Sequence, residues 1–137
     1  MSDTSQIAEI GERILTQDNR STSMPMFCVQ QKRRETGYHT DYTERRCWWN
    51  ADSSEMIYDD DLNFKEPEGD DWEEFGYVDM WETVMVAFTE DGCKEYLQQN
   101  EHNLKKPRIY VESFHRCPEM IAIREFLIAT AYSYTKQ

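Results

Sequence analysis

What this chain lacks narrows it before anything it contains. No run reaches the roughly 18 apolar residues that a membrane-spanning helix needs, so no membrane partner is expected. The opening MSDTSQIAEIGERIL has neither the basic leader nor the apolar stretch of an export signal, and a cytoplasmic location is expected. Cysteines are few: Cys28, Cys47, Cys93 and Cys117, with no C-x-x-C pair, which excludes a zinc ribbon or finger. In a reducing compartment they stay thiols. A composite zinc site from Cys28, Cys47 and Cys93 with His39, His102 or His115 competes with a plainer reading as small core or surface residues. Zinc sites usually show at least one close ligand pair, so the plainer reading is preferred, and neither a metal nor another cofactor is expected.

The signatures of enzymes are missing too. There is no G-x-S-x-G elbow, no phosphate-binding glycine loop and no H-E-x-x-H. Cys117, beside Arg116 at an expected helix start, is the one thiol in a setting that can activate it, but no base is assignable to it. His102 and Asn103 are separated from His115 and Arg116 by an expected strand, about 23 Å if extended, which puts them at opposite ends of it. No catalytic residue is proposed, and a non-enzymatic protein is expected.

What is present reads as a folded α+β domain over residues 1–137. A mean hydropathy of −0.87 coexists with 13% aromatic residues, a combination that fits a packed core carrying one strongly polar insertion. A chain of this size buries roughly two-thirds of its unfolded surface without staples. An N-terminal helix is expected within residues 1–20, with Asp3, Thr4 or Ser5 as cap, Ile7, Ile10 and Ile14 on one face, and Gly11 weakening it. Alternation predicts a strand over Met24–Arg34 and, past a turn at Gly37, a return strand over Tyr42–Trp49. Lys32, Arg33, Arg34, Arg45 and Arg46 lie among the aromatics of that hairpin. Such interleaving can grip single-stranded nucleic acid, while the plainer reading has the arginines snorkelling from a packed hairpin.

A β-α-β-α core is expected over 77–132. Tyr77–Phe88 is apolar on both faces near its end, as a central covered strand would be. Thr89 caps the next helix, Glu90 and Asp91 suit its N-terminal dipole, and Cys93, Tyr96 and Leu97 mark its buried face. After Pro107, the segment Arg108–Phe114 sets Ile109 and Val111 on one face and Tyr110 and Glu112 on the other. Pro118 and Glu119 start a final helix with an inward stripe of Met120, Ile123 and Leu127, widened by Ala122, Phe126 and Ala129, and a fraying tail from Tyr132 to Gln137. The fold expected is an antiparallel sheet of about four strands, two C-terminal helices on one face, and the N-terminal helix appended.

Charge is the strongest local feature. The whole chain carries −12, and Asp52–Glu74 holds eleven acids against the single Lys65. These are Asp52, Glu55, Asp59, Asp60, Asp61, Glu66, Glu68, Asp70, Asp71, Glu73 and Glu74, within an insertion spanning 51–75. Tyr58, Phe64 and Trp72 are interspersed with them, as are Met56, Ile57, Leu62 and Phe75, so the segment docks on the domain or on a partner. The Asp59-Asp60-Asp61 run lacks EF-hand spacing and its glycine, which weakens a calcium reading. A solvated insertion and a surface resembling a phosphate backbone remain. In the second, Asp52, Glu55, Asp59, Asp60, Asp61, Glu66, Glu68, Asp70 and Asp71 bind a partner's basic groove with Tyr58, Phe64 and Trp72 as anchors.

The block Phe88-Thr89-Glu90-x-Gly92-Cys93-x-x-Tyr96-Leu97-x-x-Asn100-x-His102-Asn103-Leu104, then Pro107-Arg108-Ile109-Tyr110-Val111-Glu112-Ser113 and Glu119-x-x-x-Ile123-Arg124-x-Phe126-Leu127, spans about 40 residues. It resembles a group of small proteins encoded by phages and prophages. That resemblance implies an accessory protein acting in the cytoplasm of a bacterial host, where such proteins bind and block host machines, CRISPR and restriction complexes among them. It transfers no catalytic residue. The expected partner is a host protein or ribonucleoprotein complex, without direct nucleic-acid contact. The alternatives are a nucleic-acid-binding module, using the hairpin cations with Lys105, Lys106 and Arg108, and a small metal-binding protein. The sequence implies no oligomeric state.

Overall fold

The two longest strands carry the sheet; the first buries Phe27, Cys28, Val29 and Gln30 in succession, so both of its faces are covered there. The computed structural model describes residues 3–135 and places, in order, α1 (Asp3–Thr16), β1 (Pro25–Tyr38), β2 (Arg45–Asn50), β3 (Glu55–Tyr58), β4 (Trp72–Ala87), α2 (Glu90–Asn100), β5 (Arg108–Ser113) and α3 (Pro118–Thr135). The fold is α+β, with one antiparallel sheet in the order β3-β2-β4-β1-β5. The sheet has five strands instead of about four, because Glu55–Tyr58, read from sequence as part of the acidic insertion, pairs with β2. The β-α-β-α order expected over 77–132 is present as β4, α2, β5 and α3. Two compact units form, one from Met1–Gln31 with Glu82–Gln137, the other from Lys32–Trp81; β1 and β4 contribute one part to each.

In the first unit the core sits where β1 meets α2. Phe27 and Val29 are fully buried against Cys93, with Tyr96, Leu97, Leu104, Ile109 and Val111 packed around them. Helix α2 starts where local chemistry directs: the Thr89 hydroxyl accepts from the Gly92 N–H at 3.0 Å, and Glu90 and Asp91 occupy the first turn. Pro118 and Glu119 open α3 in the same way.

Helices α1 and α3 pack on each other through Ala8, Gly11 and Ile14 on one side and Leu127 and Ala131 on the other, all buried. A Cβ at Gly11 would overlap the Leu127 carbonyl and crowd the Ala131 methyl. Gly11, which weakens the helix by itself, is thus what lets the two backbones approach. Thr4 and Ser5, expected as caps, lie inside α1, and the Asp3 side chain lies outside the described residues.

The inward stripe of α3 differs from expectation. Leu127 and Ala131 are buried and Met120 half-buried, but Ile123 is 46% and Phe126 61% exposed, and Ala122 and Ala129 face solvent. The helix is apolar almost all round, so periodicity did not single out one face. Its regular hydrogen bonding runs on to Thr135, through most of the expected fraying tail; residues 136–137 lie outside the described ones. Strand β4 is central, as expected, yet Val86 on it is 54% exposed, so the covering there is one-sided. The turn expected at Gly37 comes later, in a 3-10 segment at Thr40–Tyr42, and the return strand starts at Arg45.

Candidate partner-binding surface

The acidic stretch divides by what each carboxylate does. Asn50 pairs with Glu55 across the β2–β3 hairpin, and its side-chain oxygen accepts from the N–H groups of Asp52 and Ser53 at 3.0 and 3.2 Å, shaping the turn. Past β3 the chain enters a loop over 59–71 before β4 begins at Trp72.

The head of that loop is locked to the second unit's own sheet. Arg34 is the centre: its guanidinium lies 4.5 Å from the Tyr58 ring centroid and 4.2 Å from that of Tyr77. Its edges bond Asp79 (2.6 and 2.9 Å) and Asp60 (2.7 and 3.1 Å) in two bidentate pairs. Planar, forked donors make such double pairing possible, which lysine cannot reproduce. The rings of Tyr58 and Tyr77 meet edge to face at 5.3 Å. The Tyr77 hydroxyl donates to Asp59, whose other oxygen accepts from the Arg46 N–H at 2.9 Å, and Asp61 accepts from the Tyr58 N–H at 2.8 Å.

Titration follows from this geometry. Hydrogen bonds from Arg34 hold the carboxyls of Asp60 and Asp79 below the usual range, against the opposing effect of burial. Burial, and then the bond to Asp59, push the Tyr77 phenol up. The three aspartates at 59–61 therefore bond the chain's own groups. Arg34, Tyr77 and Asp79 as partners of the acidic run were not visible in sequence: Arg34 lies 26 residues from Asp60 and 45 from Asp79. The nearest hint was Tyr58 standing directly before Asp59-Asp60-Asp61.

Two of the expected apolar anchors also pack internally. Phe64 stacks on Trp48 at 5.2 Å, and Tyr58 belongs to the arginine cluster; Trp72 is half-buried at the start of β4, opposite Asn50. The loop instead presents Leu62, 93% exposed.

Seven acids remain: Asp52, Glu55, Glu66, Glu68, Asp70, Asp71 and Glu73 are exposed and, among the described residues, their carboxylates have no hydrogen-bond or ion-pair partner. Glu74 pairs with Arg46 at 3.4 Å. The hairpin cations have partners as well: Lys32 with Asp79, Arg33 with Glu35, Arg34 as above, and Arg45 with Asp59.

Cys28 and Cys93 belong to the first unit and Cys47 to the second, all three buried, while Cys117 is exposed. Among the described residues no three His, Cys, Asp or Glu side chains converge on a possible ion position. The Ser113 hydroxyl is 3.0 Å from His115 Nδ1 and also accepts from the Thr22 hydroxyl at 2.9 Å, a short chain of exposed side chains. Among the described residues no helix is long and apolar enough to cross a membrane. Compared with known protein families, curated proteins and solved structures, the chain matches none.

Proposed function

We propose that the protein is a non-catalytic binding protein that occupies a basic, nucleic-acid-binding groove of a partner complex. One observation carries this reading. Seven carboxylates stand exposed without partners among the described residues, on a hairpin and loop whose stem is fixed by the Arg34 cluster, while every cation of the neighbouring hairpin already faces an acid. Grooves that bind phosphates draw much of their affinity from lysine and arginine, and a preorganised set of carboxylates satisfies the same cations. Holding the loop stem in place lowers the ordering cost on binding. Leu62 supplies an apolar contact beside the acids.

The phage-type resemblance of the 88–127 segment suggests what owns the groove: a bacterial defence complex of CRISPR or restriction type. The rival reading, direct nucleic-acid binding through the basic hairpin, is weakened at Arg34, whose guanidinium is enclosed by two carboxylates and two tyrosine rings, while Arg33 and Arg45 make exposed, weak ion pairs.

The test is competition. Purified CRISPR effector complexes and restriction enzymes are assayed for DNA binding by gel shift with and without the protein, at low and high salt. A target should lose DNA binding, less so as salt rises. The variant Glu66→Gln/Glu68→Gln/Asp70→Asn/Asp71→Asn should lose the effect while melting like the parent. Unchanged DNA binding across the panel, or full inhibition by the neutralised variant, sinks the proposal. Substituting Asp59, Asp60 or Asp61 would confuse the result, since these hold the loop itself.

A further inference from the structure

The outer edge of β5 has no partner: β5 ends the sheet, and among the described residues no backbone group hydrogen-bonds to its far side. Such edges are commonly blunted by lysines, prolines, bulges or brevity. The other edge, β3, has four residues and an acid at its start. Strand β5 is six residues long, regular in register with β1 from Pro25↔Ser113 to Gln30↔Arg108, and has no proline or lysine within it.

Which groups point outward follows from one bond. The Phe114 N–H donates to the Met24 carbonyl at 3.0 Å, so this pair is of the hydrogen-bonded kind. Antiparallel ladders alternate bonded and non-bonded pairs. Glu112, Tyr110 and Arg108 therefore turn their backbone groups toward β1, and Ile109, Val111 and Ser113 turn theirs to the open edge. Pro107, which has no N–H to offer, falls in the outward set.

The side chains along this edge are complementary to themselves. With Tyr110 opposite the Tyr110 of a second, antiparallel copy, Arg108 faces Glu112 of that copy at both ends. Ile109 meets Val111 on the core-facing side, where both pack around Phe27 and Val29. In that register Ile109 and Val111 exchange backbone bonds with each other's copies, which is the set of groups the edge leaves open. Shifting the two-fold axis to Ile109 or to Val111 sets Arg108 or Glu112 opposite a tyrosine and loses both charge pairs. A one-residue slip would set core-facing against solvent-facing side chains. Tyr110, 43% exposed with the Arg108 guanidinium 4.9 Å from its ring centroid, then pairs with its copy where cross-strand side chains come closest.

We infer that β5 is a self-association edge: two copies join antiparallel through Arg108–Ser113, in the register that places Tyr110 on the two-fold axis. This is an isologous contact and leaves the acidic loop's proposed role untouched.

Sedimentation equilibrium over a concentration series should show a monomer–dimer transition. Glu112→Arg, at an exposed position, sets arginine against arginine at both ends and should weaken the dimer about tenfold or more. Arg108→Glu should do the same with acids, and an equimolar mixture of the two variants, which restores opposite charges at both ends, should dimerise again. Because Arg108 also bonds the Gln30 side chain at 2.9 Å, hydrogen exchange on the unmodified chain provides a test free of folding defects. The amides of Ile109 and Val111 should gain protection as concentration rises. A monomer throughout the series, a Glu112→Arg dimer as tight as the parent, or concentration-independent exchange at Ile109 and Val111 would overturn the inference.

Discussion

Arg34 shows how much one side chain can organise. It is held between two tyrosine rings and two carboxylates, and it keeps Asp60 and Asp79 ionised side by side. Replacing it by methionine leaves two solvent-reached acids facing each other. Arg34→Met should cost about 2–3 kcal/mol in urea unfolding, below the 3–5 typical of a deeply buried pair because all three groups retain some solvent contact. The pH dependence follows from the sign of the shifts. Both carboxyls titrate lower in the folded chain than in the unfolded one, so their contribution is full above about pH 4 and is lost as pH falls through the depressed native values. Urea midpoints measured from pH 7 downward should fall in that acid window, and the fall should be shallower in Arg34→Met. None of this was legible at the residue level in sequence, where Arg34 looked like the third member of a basic run and Asp60 like the middle of an acidic one.

At the scale of elements, the starts of α2 and α3 were legible and faces were less so. Thr89 with Glu90 and Asp91, and Pro118 with Glu119, act within one turn of the backbone they control, so residue type alone located both helices. Strand β3 was hidden because Glu55-Met56-Ile57-Tyr58 is short and sits between acids, and its reason to be extended is β2 across the hairpin. The inward face of α3 was legible only at Leu127 and in part at Met120, because Ile121, Ile123, Phe126, Leu127 and Ile128 offer apolar residues on several faces; contact with α1 selected Leu127 and Ala131. Gly11 marks that contact. In isolation alanine is the better helix former by about 1 kcal/mol. Against Leu127 and Ala131 the added methyl must displace backbone, so Gly11→Ala should lower stability by about 1–3 kcal/mol, read as a drop in melting temperature. A variant that melts higher would show that α1 and α3 do not approach as described. Gly76 is tight in a similar way, since a Cβ there would overlap the Thr43 hydroxyl.

For the whole molecule, burial sorts the four thiols. Cys28, Cys47 and Cys93 are at most 1% exposed, and burial raises their pKa values, that of Cys93 to about 11, whereas Cys117 is exposed. Because thiolate is the reactive form, a disulfide reagent added to the folded protein at neutral pH should modify one thiol rapidly and the other three only on unfolding. More than one fast thiol would contradict the burial of these cores. Residue type and spacing are enough for the α+β class, the starts of α2 and α3, and the concentration of negative charge in one stretch. Each of these depends on residue type and spacing over a few positions. Which acids are engaged, which face of α3 is inward and which strand edge stays open emerge only on packing. Those outcomes depend on partners such as Arg34 and Asp60, or Gly11 and Leu127, that lie far apart along the chain and meet only when the sheet and helices pack.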